Sequence, residues 1–223
     1  LAVGDEPLLI RRRTGVPVMV GPDRRAAALQ LLQQHPQVDV LLADDGLQHR
    51  QLRRDVEVLV FDERGIGNGL LLPAGPLREP LPAAPGPSML VLYNHDRPST
   101  PWAGAVTRRR LAGAWPLDRW LATGGEPPHP LAGLQGRPLL AMAGIAVPER
   151  FFSALEAAGL RITRLPLADH HTYAGAPPWP AGTREVVTTE KDAVKLARWA
   201  RGDVTIWVVG LDLALPADFM AAL

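Results

Sequence analysis

What most narrows the fold of this chain is a set of continuous apolar runs with polar ends: VDVLLADD (38–45), DVEVLVFDE (55–63), SMLVLYNHD (88–96) and VTIWVVG (204–210). A run that is apolar at every position suits a strand buried on both faces, the usual state of strands in parallel sheets. A shorter β-branched run, VPVMVG (16–21), predicts another strand. PDRRAAALQLLQQHP (22–36) follows it; Asp23 can cap a helix reaching about Gln34, and Pro36 stops it. Strand, helix and strand in this order predict an α/β unit with crossover connections.

A second α/β pattern begins near residue 138. PLLAMAGI (138–145) reads as a strand, and VPERFFSALEAAGL (147–160) as an amphipathic helix with Phe151, Phe152 and Leu155 on one face. RITRLPLADHH (161–171) reads as an extended segment, and REVVTTEKDAVKLARWA (184–200) as a strand entering a helix near Thr189. Residues 62–87 hold too many Gly and Pro for regular structure, and long ordered loops tend to be functional. Residues 97–137, with Trp102, Trp115 and Trp120, read as a connector with two short strands, one around AVTRRRLAG and one near Trp120.

Composition excludes more than it selects. At 223 residues and 47% hydrophobic there is material for a core, in one domain or two small ones. The net charge of +1 singles out no partner, and the clusters Arg11–Arg13, Arg53–Arg54 and Arg108–Arg110 suit either solvent or an anionic ligand. With no Cys there is no disulfide, thiolate metal site or cysteine nucleophile. No apolar run reaches the roughly 18 residues a membrane-spanning helix needs. The chain opens on Leu1 rather than Met, and LAVGDEPLLI reads as the middle of a longer sequence.

Several constellations can carry chemistry. Asp44 and Asp45 end an expected buried strand, the edge where open α/β sheets bind ligands, and a carboxylate there can hold Mg²⁺. The competing reading is a hairpin, because Asp-Gly is a strong turn signal; LQHRQL, however, makes a poor partner strand. Asp5 and Glu6 beside Pro7 suit a helix start or a solvated turn. Asp169, His170 and His171 suit acid–base work, metal binding or a surface turn. In TTEKDAVK, Thr189 caps a helix with Asp192 as its capping-box partner, and Lys191 is able to contact phosphate. Arg78 and Glu79 sit in a loop stiffened by Pro73, Pro76 and Pro80, where Arg can grip phosphate and Glu can join a metal shell. GIGNG (65–69) lacks the following Lys-Ser/Thr of a phosphate loop and reads as a plain loop.

Taken in order, VGDEP, DDGLQH, GNGLLLPAGPLREP, MAGIAVPERFF, PLADHH and TTEKDAVK resemble the tetraacyldisaccharide 4′-kinases of lipid A synthesis, from about residue 3 to 210. The resemblance implies a P-loop NTPase-like α/β/α domain, incomplete at its N-terminus, followed by a smaller α/β/α domain across a short strand linker. The expected divisions are 1–105, 106–136 and 137–223. It implies ATP and Mg²⁺, and phosphorylation of the 4′-hydroxyl of a lipid disaccharide 1-phosphate at the cytoplasmic face of the bacterial inner membrane, with no nucleic acid as partner. By position, Asp5 resembles the catalytic base and His170 its partner. Asp44 and Asp45 resemble the Mg²⁺-supporting pair, with Glu79 beside them. Lys191 and Arg78 fall to the nucleotide, and Glu6, Arg24 and His49 to the substrate cleft.

The family's Walker A loop and membrane anchor belong ahead of VGDEP, so this stretch alone is expected to be inactive. A non-catalytic module that kept the scaffold is the alternative, although such a module needs neither acidic pair. For the acyl chains, GLLLPAGPL and the Trp-bearing connector are the expected contacts.

Overall fold

The computed structural model describes residues 4–122 and 128–223. Val3 of the VGDEP motif and residues 123–127 of the connector lie outside the described residues. In chain order the elements are α1 (Asp5–Thr14), α2 (Arg24–Gln34), β1 (Glu57–Phe61), β2 (Met89–Asn94), β3 (Ala105–Thr107), β4 (Arg109–Pro116), α3 (Leu117–Ala122), β5 (Leu139–Ala143), α4 (Pro148–Ala157), β6 (Ile162–Pro166), β7 (Glu185–Thr189), α5 (Glu190–Ala193), β8 (Thr205–Leu213) and α6 (Ala217–Ala221). They gather into two compact units. One runs up to Leu41 and resumes over Leu111–Leu211; the other comprises Leu42–Arg110 and Asp212–Leu223.

The first unit is built on a five-stranded sheet of order β4-β8-β7-β5-β6, in which β5 runs parallel to β6 and β7, and β7 parallel to β8. Successive residues feed different clusters. Ala141 and Val187 pack with Phe152 and Leu155 of α4, whereas their neighbours Met142 and Val186 pack with Tyr173 and Leu196. Both faces are therefore covered, which is the physical origin of the unbroken apolar runs. Phe152 is 1% exposed, and burying a side chain of that size stabilises the fold by about 2–3 kcal/mol.

Helix α1 carries Asp5 and Glu6 in its first turn and Arg11–Arg13 in its last, the charge order that complements the helix dipole. Arg13 pairs with buried Glu190 at 2.7 Å, and Arg12 donates to the carbonyls of Trp120 and Leu121 at 2.9 and 2.8 Å. These bonds fix α1 against the segments of this unit that hold α3 and α5. Helix α2 starts where Asp23 accepts from the Ala26 amide at 3.0 Å, as the capping pattern predicts.

The second unit holds a three-stranded parallel sheet, β1-β2-β3, with Glu57 opposite Met89 and Leu92 opposite Ala105. Its core is Val91, Tyr93 and Trp102 with Phe61 against them; the Tyr93 hydroxyl donates to the Trp102 carbonyl at 2.7 Å. In the proline-rich loop, Leu72 donates to Leu77 at 2.8 Å and Leu77 to Leu70 at 3.1 Å, so the loop is ordered by its own backbone.

Three local expectations are corrected. Neither 16–21 nor 38–45 forms a strand, and Val16, Val20, Val40 and Leu42 are exposed. A strand exists only through a ladder, and no described strand pairs with either run. Around Trp120 the chain is the helix α3, not a strand. Trp102 and Trp120 are also core residues, each 5% exposed, and so are unavailable to an acyl chain, while Leu70, Leu71 and Leu72 are exposed.

Candidate active site

Asp5 opens α1, and its carboxylate is 18% exposed. Oδ2 stands 3.6 Å from His170 Nδ1, within ion-pair reach though longer than a hydrogen bond. The same oxygen lies 2.6 Å from Lys195 Nζ. One residue on, Glu6 meets Lys191 Nζ at 3.5 Å, and Lys191 also reaches Asp169 at 3.8 Å. Two carboxylates on one helix thus face two ammonium groups a turn apart, with an imidazole alongside. All belong to the first unit.

The loop bearing His170 is held in an uncommon shape. His170 and Tyr173 have φ of 56° and 54°, in the left-handed region that costs about 1–2 kcal/mol for a side chain with a Cβ. Residues kept there are held by their surroundings, and such residues cluster at functional sites. Here the surroundings are identifiable. The His170 amide donates to the Gly144 carbonyl at 3.2 Å and to Asp169 Oδ1 at 3.0 Å. The Tyr173 hydroxyl donates to Asp192 Oδ1 at 2.8 Å, and its ring meets that of His171 edge-on at 4.7 Å. Burial, and then the adjacent Asp192 charge, push the Tyr173 hydroxyl pKa far above its ordinary value.

Asp192 is the anchor of this loop. It is fully buried and accepts from the Gly144 amide at 3.2 and 3.1 Å, from Tyr173, and from the Thr189 hydroxyl at 2.7 Å. Its own amide donates back to Thr189 at 3.2 Å, which makes the expected capping box real. Position 144 must be glycine: a Cβ there would stand 2.9 Å from Asp192 Oδ1 and 3.1 Å from His171 Cβ.

The acidic pair of the second unit lies in a turn. Asp44 and Asp45 are exposed, Asp45 has φ of 49°, and no ladder joins the flanking segments. This is neither the buried strand end nor the hairpin that the residues alone allowed. Arg54 donates to the Leu47 carbonyl at 2.7 Å and pairs with Glu57 at 2.6 Å, tying the curled segment to the start of β1. His49 is half-buried here, and its amide donates to the Gly46 carbonyl at 3.0 Å. Glu79 lies 3.8 Å from Arg50, while Arg78 is exposed with no ion pair among the described residues. Arg24 sits half-buried at the start of α2 in the first unit.

Carboxylate oxygens are the right donors for Mg²⁺, which takes one or two of them and completes its shell with water and phosphate. Asp44 and Asp45 meet that requirement; no group of three or more acidic or imidazole side chains forms a metal site among the described residues, so Glu79 is not gathered with them. Motif reading brought Asp5, Glu6, His170 and Lys191 to attention and placed Asp192 in the cap with Thr189, but missed Lys195 as a partner and the bonds that tie Asp192 to Gly144 and Tyr173. The spacing Lys191–Lys195, one helical turn, was the available signal for Lys195.

In shape the chain matches the crystal structure of the "apo" form of LpxK from Aquifex aeolicus in complex with ATP, with a TM-score of 0.70 and 23% identity, over 98% of this chain and 67% of that one. That likeness gives the class: an α/β fold with parallel sheets, shared with that structure. The sequence carries it further. A family model described as tetraacyldisaccharide-1-P 4′-kinase matches residues 1–223. The tetraacyldisaccharide 4′-kinases of Methylibium petroleiphilum and Leptothrix cholodnii are 55% and 54% identical over 99% and 100% of this chain. The chain belongs to the tetraacyldisaccharide 4′-kinase family. It spans 63% and 65% of the lengths of those two relatives. No helix among the described residues is long and apolar enough to cross a membrane.

Proposed function

We propose that this chain is the part of a lipid kinase that receives the acceptor hydroxyl, in an enzyme that moves the γ-phosphoryl group of ATP to the 4′-hydroxyl of a tetraacyldisaccharide 1-phosphate. The observation that carries the reading is the approach of Asp5 and His170, 165 positions apart, to 3.6 Å. A hydroxyl attacking phosphorus in a loose transition state needs little proton removal beforehand, so a well-placed carboxylate suffices. Asp5 takes the hydroxyl proton as the new O–P bond forms and ADP leaves. His170 orients the carboxylate and accepts the proton onward, general acid–base work typically contributing about 10²–10⁴-fold.

Lys191 and Arg78 supply cationic contacts to phosphate, and Glu6, Arg24 and His49 contact the substrate. Asp44 and Asp45 would hold Mg²⁺, whose chemistry is to neutralise charge developing on the transferred phosphate. The exposed Leu70–Leu72 suit an acyl chain. A lipid substrate puts the work at the membrane surface, on the cytoplasmic face where ATP is found. We assign the kinase domain to 1–105, the linker to 106–136 and the second domain to 137–223.

The test is transfer of labelled phosphate from ATP to the lipid disaccharide by the full-length enzyme carrying this sequence. Asp5→Ala and His170→Ala should each reduce turnover at least about 100-fold. Wild-type rates in both variants would overturn the acid–base roles given to Asp5 and His170.

A further inference from the structure

We infer that Lys195 is the positioning residue for Asp5, holding one carboxylate oxygen so that the other receives the proton. The inference rests on the functional reading above and adds to it a residue that no motif singled out.

The geometry is specific. Lys195 Nζ lies 2.6 Å from Asp5 Oδ2, while His170 Nδ1 lies 3.6 Å from that same oxygen. The closest contact of each cationic or imidazole group thus falls on Oδ2. The same ammonium donates to the His171 carbonyl at 3.1 Å. One charged group therefore ties the carboxylate on α1 to the backbone next to His170, and it spans the two halves of the acid–base pair. An ammonium has three donors on a compact head, so two bonds in different directions strain nothing.

The environment separates this contact from an ordinary surface pair. The side chains of Lys195 and Asp5 are 15% and 18% exposed, against 64% for His170. Exposed ion pairs contribute little because water screens them and both side chains lose freedom; this one is largely shielded. Lys195 is itself fixed, since its amide donates to the Asp192 carbonyl at 3.0 Å and its Nζ lies 6.0 Å from the centre of the Tyr173 ring. Lys191, one turn earlier, meets Glu6 and Asp169, so it is engaged elsewhere and cannot replace Lys195 at Asp5 without giving those contacts up.

The chemical consequence concerns orientation. With Oδ2 held by Lys195 at 2.6 Å, Oδ1 is the oxygen left to accept the hydroxyl proton. Losing the ammonium frees the carboxylate to rotate, which reduces the fraction of productive encounters without altering how substrate binds. Small misplacements of a reacting group cost about 100-fold in rate.

The experiment compares Lys195→Met, Lys195→Ala and Asp5→Asn in the full-length enzyme carrying this sequence, with ATP and the lipid disaccharide. Lys195→Met should lower kcat about 30-fold while both KM values stay within about twofold. Lys195→Ala should be rescued in a dose-dependent way by methylamine or ethylamine, a readout that a merely structural lysine would not show. If the Met variant does not fold, amine rescue of the Ala variant decides. Loss of turnover in Asp5→Asn alongside normal kcat in Lys195→Met, or no amine rescue of a folded Lys195→Ala, overturns the role of Lys195 alone. Normal turnover in Asp5→Asn overturns instead the functional reading on which it rests.

Discussion

Replacing Asp192 probes how the His170 loop is held, and its cost follows from the bonds that would be lost. In Asp192→Ala three donors lose their acceptor: the Gly144 amide, the Tyr173 hydroxyl and the Thr189 hydroxyl. Hydrogen bonds to a charged acceptor contribute about 1.5–3 kcal/mol each, and a buried donor left without a partner costs about 1–3 kcal/mol. Thr189 is part-buried and can turn toward water; the other two donors cannot. The sum is about 4 kcal/mol, or a fall in Tm of about 10 °C for a unit of this size. Asp192→Asn should cost less, about 1–2 kcal/mol. Its oxygen can keep the bonds that Tyr173 and Gly144 make to Oδ1, and only the Thr189 side is inverted. Urea unfolding followed by tryptophan fluorescence reports this directly, because Trp199 sits against Tyr173 at 6.5 Å. Equal losses for Ala and Asn, or less than about 1 kcal/mol for Ala, would refute the view of Asp192 as anchor.

Other outcomes follow from the same bonds. In full-length enzyme, Asp5→Ala and His170→Ala combined should lose less than the product of their separate effects, because the two act as one unit; a double-mutant cycle on kcat in which the effects multiply would separate them. Asp45→Ala should lower turnover roughly 100-fold and raise the Mg²⁺ concentration needed for half-maximal rate; a metal titration checks it. Phe152→Ala should destabilise the chain by about 3–5 kcal/mol, measured by denaturant midpoint, since the side chain is 1% exposed in the α4 core. Tyr173 has its pKa raised in the folded chain from the ordinary 10.0, so its stabilising contribution is whole below pH 10 and is lost as pH rises beyond it. Thermal stability should therefore fall above about pH 10, and Tyr173→Phe should flatten that decline.

Most of the strands were legible from their apolar composition: PLLAMAGI and VTIWVVG are covered on both faces, and DVEVLVFDE and SMLVLYNHD also became paired strands, although Val58 and Val60 of the first are exposed. The helix after Asp23 was legible because its cap is local, a side chain three residues from the amide it binds. VPVMVG and VDVLLADD carry the same composition and form no strand. Composition records readiness to pair, while pairing needs a neighbour, so the Asp44–Asp45 turn could not be told from a strand end by reading along the chain.

The sequence by itself determined the strand-forming runs, the capped helices, the ordered loop around Arg78 and the motifs that mark the family, all of which depend on neighbours within a few residues. Only the tertiary structure decided that Asp5 meets His170 and Lys195, that Glu6 meets Lys191, and that Asp192 faces inward to hold Gly144 and Tyr173. The physical reason is the range of the interactions. Backbone propensity and capping act over one turn of chain, whereas an ion pair between positions 5 and 195 exists only after a parallel sheet has brought α1 and the segment after β7 together.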